Sequence, residues 1–196
     1  MTSSDARAET VVKVGGGLLE NVELFDAVMA AVGEAGRSSR LLVVPGGGPF
    51  ADTVRRVDER LALPDAAAHW MAVLAMDQFA QLIAARLGGA MLIAYPGELA
   101  AAAAAGRVPV LAPFRWLRDV DPLPHSWDVT SDSIAAWVAG QLGARQLVLV
   151  KPPGVQGLED AVDVYFERAR PPDLATRVVA ADRIEELRLV LLSKLM

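Results

Sequence analysis

Short apolar runs alternate with longer amphipathic segments along most of this chain. The runs are too short and too continuous to be half-exposed, so they predict strands of a parallel sheet that is covered on both faces. The alternation of strands and helices predicts an α/β fold, a three-layer αβα sandwich with a mainly parallel sheet. The strands are predicted at residues 10–14, 40–44, 90–94, 108–111, 146–150 and 177–179.

Helical segments are predicted between these strands, and the segment at residues 64–87 is apolar around more than one face. A surface helix needs only one apolar stripe. We therefore expect the second face of this helix to meet another copy of the chain in a homodimer or larger homo-oligomer. The helices are predicted at residues 19–35, 49–60, 64–87, 98–104, 131–142, 159–169 and 183–192.

Residues 111–127 break the alternation, because prolines and aromatic residues are mixed there. The segment is too aromatic for a disordered linker, and long ordered loops commonly carry function. We expect a structured loop beside the active site.

Composition narrows the class of protein. At 196 residues the chain has the length of one domain, and residues 1–196 are predicted to form it. A net charge of −5 argues against a nucleic-acid partner, and the lack of cysteine excludes disulfides and thiolate metal sites. No apolar run approaches the roughly 18 residues of a membrane span. We therefore expect a soluble, cytoplasmic protein with no membrane partner.

Lys13 is a charged residue inside the predicted first strand, and Gly15-Gly16-Gly17 follows it directly. The chain has three lysines against 16 arginines, so lysine is used sparingly, and Lys151 ends another predicted strand. The third, Lys194, is expected to be a solvated charge near the C-terminus. A lysine beside free backbone N–H groups predicts a phosphate site. The alternative is a glycine turn with an incidental lysine.

A second glycine triplet, Gly46-Gly47-Gly48, follows the second predicted strand, and Pro49 can open the next helix. The glycines leave room for a ligand and expose amides, although a tight turn alone would also use them. The helix start at residues 128–136 has a similar ambiguity. Asp128 or Thr130 can cap this helix while Asp132 complements its dipole, or Asp132 can hold lysines near phosphates.

Together these motifs resemble the amino acid kinase family, which includes aspartate, acetylglutamate, uridylate and isopentenyl phosphate kinases. That family has a strand-borne lysine before glycines, as at residues 13–16, and an acceptor-binding glycine cluster, as at 46–48. It also has an Asn-Ala-Asp-like helix start, as at residues 130–136. Residues 123–135 and 162–166 are most similar to the subgroup that includes the aminomethyl-furanmethanol phosphate kinase of methanofuran biosynthesis.

The resemblance implies an ATP-dependent kinase of one-carbon cofactor biosynthesis. It would convert a small phosphate monoester, a methanofuran-type furfurylamine phosphate, into a diphosphate. The acceptor-binding part would be about residues 10–125 and the nucleotide-binding part about 126–196. Mg²⁺ would be held mainly by ATP oxygens, since the sequence shows no carboxylate cage.

The expected site residues follow from this mechanism. Lys13 would neutralise charge on the transferring phosphoryl group, and Asp132 would orient Lys13, and Lys151 if it reaches. The expected nucleotide contacts are Gly15, Gly16, Gly17, Ser131, Lys151, Gly154 and Gly157. The expected acceptor contacts are Gly46, Gly47, Gly48, Arg115, His125, Asp128 and Thr130.

Some alternatives remain open. Larger family members carry a second catalytic lysine in a late Gly-Met-x-x-x-Lys-like segment, which has no match here. Lys151 either replaces that lysine or serves the nucleotide loop or the fold. The chain could also be a non-catalytic nucleotide- or oxoanion-binding homologue, a regulatory or partner subunit of an active paralogue. His69 is predicted to be a core or interface residue, and His125 either contacts substrate or lies in a solvated loop.

Overall fold

A six-stranded parallel sheet forms the centre of the molecule. The computed structural model describes residues 8–155 and 157–193, so Lys194 lies outside the described residues. The sheet order is β3-β4-β2-β1-β5-β6, and every neighbouring pair is parallel. The predicted fold class is confirmed. The strands are β1 (Thr10–Val14), β2 (Leu41–Pro45), β3 (Ala90–Ile93), β4 (Val108–Leu111), β5 (Gln146–Lys151) and β6 (Ala175–Ala180).

Helices cover both faces of the sheet and complete the three layers. Short 3-10 helices at Gly16–Glu20 and Pro96–Glu98 precede α1 and α4. None of the helices within the described residues is long and apolar enough to cross a membrane. The helices are α1 (Val22–Gly36), α2 (Gly48–Leu61), α3 (Asp65–Arg86), α4 (Leu99–Ala104), α5 (Phe114–Val120), α6 (Ser131–Leu142), α7 (Phe166–Ala169) and α8 (Ile184–Leu192).

Two local predictions were wrong. The helix predicted at residues 159–169 forms only over α7, because the Asp163 carboxylate accepts hydrogen bonds from α6 and holds the preceding stretch in turns. The loop predicted at residues 111–127 contains α5, which begins directly after Pro113. Proline is compatible with a helix start, since its missing N–H has no partner there in any case.

The helix α3 uses its apolar residues on both sides of the sheet. Trp70 and Met76 join the apolar cluster under α6, whereas Phe79 and Ile83 join the cluster under α1 and α8. Much of the apolar excess that suggested an oligomer is therefore buried within the chain itself. Two large apolar side chains of this helix remain exposed, Met71 at 38% and Leu74 at 41%.

The sheet order places one crevice at the carboxyl edge of the strands. Val14 at the end of β1 is in register with Pro45 of β2 on one side and Val150 of β5 on the other. The chain leaves β1 toward β2 first and returns to β1's other side only with β5. In open parallel sheets ligands bind outside such a reversal point, so the loops after β1, β2 and β5 are where a site is expected.

Candidate active site

Two glycine loops meet in backbone contact at the carboxyl edge. The Gly15 N–H donates to the Val150 carbonyl at 3.1 Å, and the Gly46 N–H donates to the Val14 carbonyl at 2.8 Å. A Cβ placed on Gly16 would lie 2.0 Å from Gly48 Cα, which is an impossible contact. Only glycine fits at Gly16, because its loop lies against the backbone of the other.

Three charged side chains converge beneath these loops and are almost completely buried. Lys13 Nζ lies 2.9 Å from Asp132 Oδ1, and Lys151 Nζ lies 2.8 Å from Asp132 Oδ2. Lys13 on β1 and Lys151 on β5 lie on the same face of the sheet, because Lys13 is in register with Leu149, two residues before Lys151. Asp132 reaches them from the first turn of α6. The two lysines that sequence analysis singled out at strand ends therefore share one carboxylate.

The protonation equilibria of this cluster reflect its burial. Burial alone would raise the pKa of Asp132, but the charges of Lys13 and Lys151 outweigh it and hold that pKa below its ordinary value. Burial, followed by the charge of nearby Lys13, lowers the pKa of Lys151 to about 8. With both lysines protonated the cluster carries one net positive charge, which favours an anion beside it.

A second carboxylate holds the start of α6 in place. Asp163 Oδ2 accepts hydrogen bonds from the backbone N–H groups of Thr130 and Ser133 at 3.0 and 3.1 Å, and from the Thr130 hydroxyl at 2.7 Å. Asp163 Oδ1 accepts from the Ser133 hydroxyl and from Tyr165 N–H. Because these groups flank Asp132, the Asp163 side chain positions the carboxylate that pairs the lysines.

A cavity of about 260 Å³ opens beside Lys13 and Asp132. Its wall also includes two charged residues of α2, Asp52 and Arg55, together with apolar and aromatic side chains. Among the residues predicted from sequence, it is lined by Lys13, Gly16, Gly17, Gly47, Gly48, Thr130, Ser131 and Asp132. Gly15, Gly46 and Lys151 lie directly beside these residues through the contacts described above.

Other predicted site residues lie elsewhere. Arg115 and Asp128 are exposed and line none of the described cavities near the lysines. His125 lines a second, smaller cavity next to the first, and its Nε2 is 2.8 Å from Asp121 Oδ1. Gly157 lines a separate cavity at the edge strand β6. Gly154 is an exposed turn glycine with a φ of +93°.

Sequence reasoning missed three residues of the site. His69, predicted to be a core or interface residue, is half-buried and lines the cavity, as does Trp127. Asp163 lies in a stretch predicted as helix, which hid its capping role. His69 lies on an apolar helix, and nothing in the local sequence distinguishes it from a core residue. Trp127 could have been found, because it ends the proline-rich aromatic segment that was predicted to lie beside the active site.

The chain is similar to known proteins in both sequence and fold. Residues 9–171 match a model of the amino acid kinase family. Over 151 residues the chain is 27% identical to the [5-(aminomethyl)furan-3-yl]methyl phosphate kinase of Methanocaldococcus jannaschii, a match that covers 76% of this chain and 68% of that protein.

Solved structures show the same fold at low identity. A UMP kinase from Bacillus anthracis superposes with a TM-score of 0.65 at 13% identity, covering 96% of this chain and 93% of that one. The uridylate kinase from Archaeoglobus fulgidus gives a TM-score of 0.58 at 18% identity. That match covers 76% of this chain, which spans only 64% of the archaeal enzyme.

The sheet, the glycine loops and the lysine–aspartate cluster define an α/β protein with a cationic site at the reversal point of its strands. The chain belongs to the amino acid kinase family. The family is one of kinases, which supports the phosphotransferase class that the sequence motifs indicated.

The charges of Lys13, Asp132 and Lys151 lead to a prediction about the stability of two variants. Lys13→Met removes one of two like charges and leaves a neutral Asp132–Lys151 pair, so the free energy of unfolding should stay within about 1 kcal/mol of wild type or increase. Asp132→Asn leaves two buried ammonium groups without a counter-charge and should cost about 3 kcal/mol or more. Urea unfolding at pH 7 measures both, and an Asp132→Asn variant as stable as Lys13→Met would contradict the proposed pairing.

Proposed function

We propose that this protein is an ATP-dependent kinase that phosphorylates a small phosphate monoester, a methanofuran-type furfurylamine phosphate, to a diphosphate. The observation that carries the proposal is the pair of lysine ammonium groups on one buried carboxylate at the meeting of two glycine loops. Similarity to a kinase named for such an acceptor supports the choice of substrate.

Phosphoryl transfer demands positioning and charge neutralisation more than covalent chemistry from the protein. Lys13 and Lys151 provide two compact point charges at a fixed separation, because both bind Asp132. In the proposed role these ammonium groups neutralise charge that develops on the phosphate oxygens. A phosphate acceptor is already ionised, so Asp132 needs no role as a general base and acts by orienting the lysines.

The side chains and backbone groups around the cavity are suited to binding the phosphates of ATP. Gly16, Gly17, Gly47 and Gly48 line the cavity beside Lys13 and place no side chain between their backbone amides and a ligand, so phosphate oxygens can approach those amides. Gly15–Gly17, Ser131 and Lys151 would hold its phosphates, with Gly154 and Gly157 on the loop that follows β5. ATP supplies the phosphoryl group when bound. Within the described ranges no group of three or more acidic or histidine side chains is placed for a metal, so Mg²⁺ is assigned to ATP oxygens.

The test is a screen of phosphate monoesters with ATP and Mg²⁺, read by phosphorus NMR for new diphosphate signals. The aminomethyl-furan phosphate should give such a signal. Nucleotide binding without transfer to any monoester would instead favour the non-catalytic homologue, a regulatory or partner subunit.

Lys13 offers the sharpest kinetic prediction. Lys13→Met should lower turnover on the order of 10²–10³-fold, the scale for losing one electrostatic donor to a transition state. Lys13→Arg should also lose turnover, since the planar guanidinium group cannot occupy a site shaped for a compact ammonium group. Steady-state kinetics beside a melting curve separates chemistry from folding. Turnover within a few-fold of wild type in Lys13→Met would refute the mechanism.

The lowered pKa of Lys151 predicts an alkaline limit to activity. If the ammonium form is needed, kcat/KM should fall above about pH 8, where the free protein loses that proton. Bound phosphates add negative charge, which raises the pKa of Lys151, so kcat should hold to higher pH than kcat/KM. Measuring both profiles from pH 6 to 10 checks this, and coincident profiles that stay flat through pH 9 would exclude the role.

We also propose a homodimer through the exposed face of α3, because Met71 and Leu74 present large apolar surface there. Leu74→Lys should give a monomer, since burying an unpaired charge at an apolar interface is costly. Light scattering at micromolar concentration measures the mass. The control is Leu192→Lys, a similarly exposed leucine at the end of α8 (46% against 41% for Leu74), which should leave the mass of wild type unchanged. A monomeric wild-type protein would rule the proposal out.

A further inference from the structure

The cavity beside Lys13 is not isolated. A second cavity of about 210 Å³ adjoins it and is bordered by Asp65, His125 and Ser126. The second cavity lies beyond a wall of aromatic and histidine side chains that it shares with the first. This shared wall, or junction, consists of His69, Ala72, Trp127 and Val129.

The ring of Trp127 is held rigidly at this junction. Its Nε1–H donates to Asp58 Oδ2 at 2.7 Å, and the Arg55 guanidinium lies 4.7 Å from the ring centroid. Asp58 in turn accepts from Leu63 N–H at 2.9 Å, which fixes the carboxylate at the end of α2. An aromatic surface locked by such contacts before a ligand arrives lowers the entropic cost of binding a flat group.

His69 supplies a second flat surface at the junction. Its ring stacks on His125 at 4.4 Å between centroids and meets Trp70 edge-on at 4.7 Å. Burial, and then the neighbouring His125, lower the pKa of His69 to about 4, so the ring is neutral at pH 7. The junction thus offers a neutral imidazole ring and an indole ring, with the Arg55 guanidinium beside the indole.

Resting on the proposed kinase function, we propose that the junction binds the planar ring of the acceptor. The phosphate points to Lys13, and the substituent opposite the phosphate enters the second cavity. This makes Trp127 and His69 the residues that select a ring-bearing phosphate monoester over an open-chain one. The Asp65 carboxylate borders the second cavity, so the favoured substituent is a cation such as a protonated amine.

The test compares a ring-bearing acceptor, [5-(aminomethyl)furan-3-yl]methyl phosphate, with open-chain phosphoethanolamine. Trp127→Leu should raise KM for the ring-bearing acceptor roughly five- to tenfold, the size of one aromatic contact, and leave phosphoethanolamine unaffected. Trp127→Phe, which keeps a ring, should restore most of the affinity. The matched control is Trp116→Leu, a tryptophan packed on Trp137 outside both cavities, which should leave KM for both acceptors unchanged.

Equal losses for both acceptors in Trp127→Leu would show a merely structural role and overturn the inference. So would a wild-type preference for open-chain phosphoethanolamine over the ring-bearing phosphate. The Asp65 contact is tested with the desamino compound, (5-methylfuran-3-yl)methyl phosphate. Asp65→Asn should weaken the amine compound roughly three- to fivefold, as for an exposed ion pair, and spare the desamino one. Glu23→Gln, in the first turn of α1, is the control.

Calorimetry without ATP separates the two proposals. Absent turnover of every acceptor would end the kinase proposal. Binding of the ring-bearing phosphate that weakens in Trp127→Leu but not in Trp116→Leu would still support the aromatic junction. Equal binding to all three proteins, or no binding to wild type, would overturn the inference whatever the kinetics show.

Discussion

One buried carboxylate shared by two ammonium groups is the interaction on which this structure depends. Asp132 permits Lys13 and Lys151 to lie in the interior of a parallel sheet, where an unpaired lysine would be costly. The cluster still carries an excess positive charge, and glycine backbone lies directly over it. An anion bound beside the cluster would balance this charge and stabilise the folded state by mass action, which links binding of phosphate to the fold itself.

The fold was largely readable from the chain because its strands are short, continuous valine- and leucine-rich runs bounded by turns. Lys13 stood out for a physical reason, since a charge in such a run needs a partner. The partner's identity depends on which strands are neighbours: Lys151 meets Lys13 only because β5 pairs with β1. Sequence could suggest this pairing through family resemblance, but local pattern alone could not establish it.

The aromatic half of the site depends on contacts between distant segments. His69 on α3 and His125 in the later loop stack on each other, and neither has a local pattern that indicates the contact. The role of Asp163 was not predicted because the sequence around it has helical periodicity. In the structure its carboxylate instead accepts hydrogen bonds from backbone N–H groups at the start of α6. Tertiary hydrogen bonds to a helix start overrode local propensity there.

The contact between Gly16 and Gly48 has an evolutionary consequence. Neither loop has a side chain that could be enlarged or trimmed, and a Cβ at Gly16 would collide with the facing backbone. The floor of the site is therefore closed to gradual change: a viable replacement there requires both loops to retreat together. If the proposed acceptor site is right, a change of acceptor preference in this chain would proceed through the walls of the cavity, at positions such as Trp127 and His69, and not through the glycine floor.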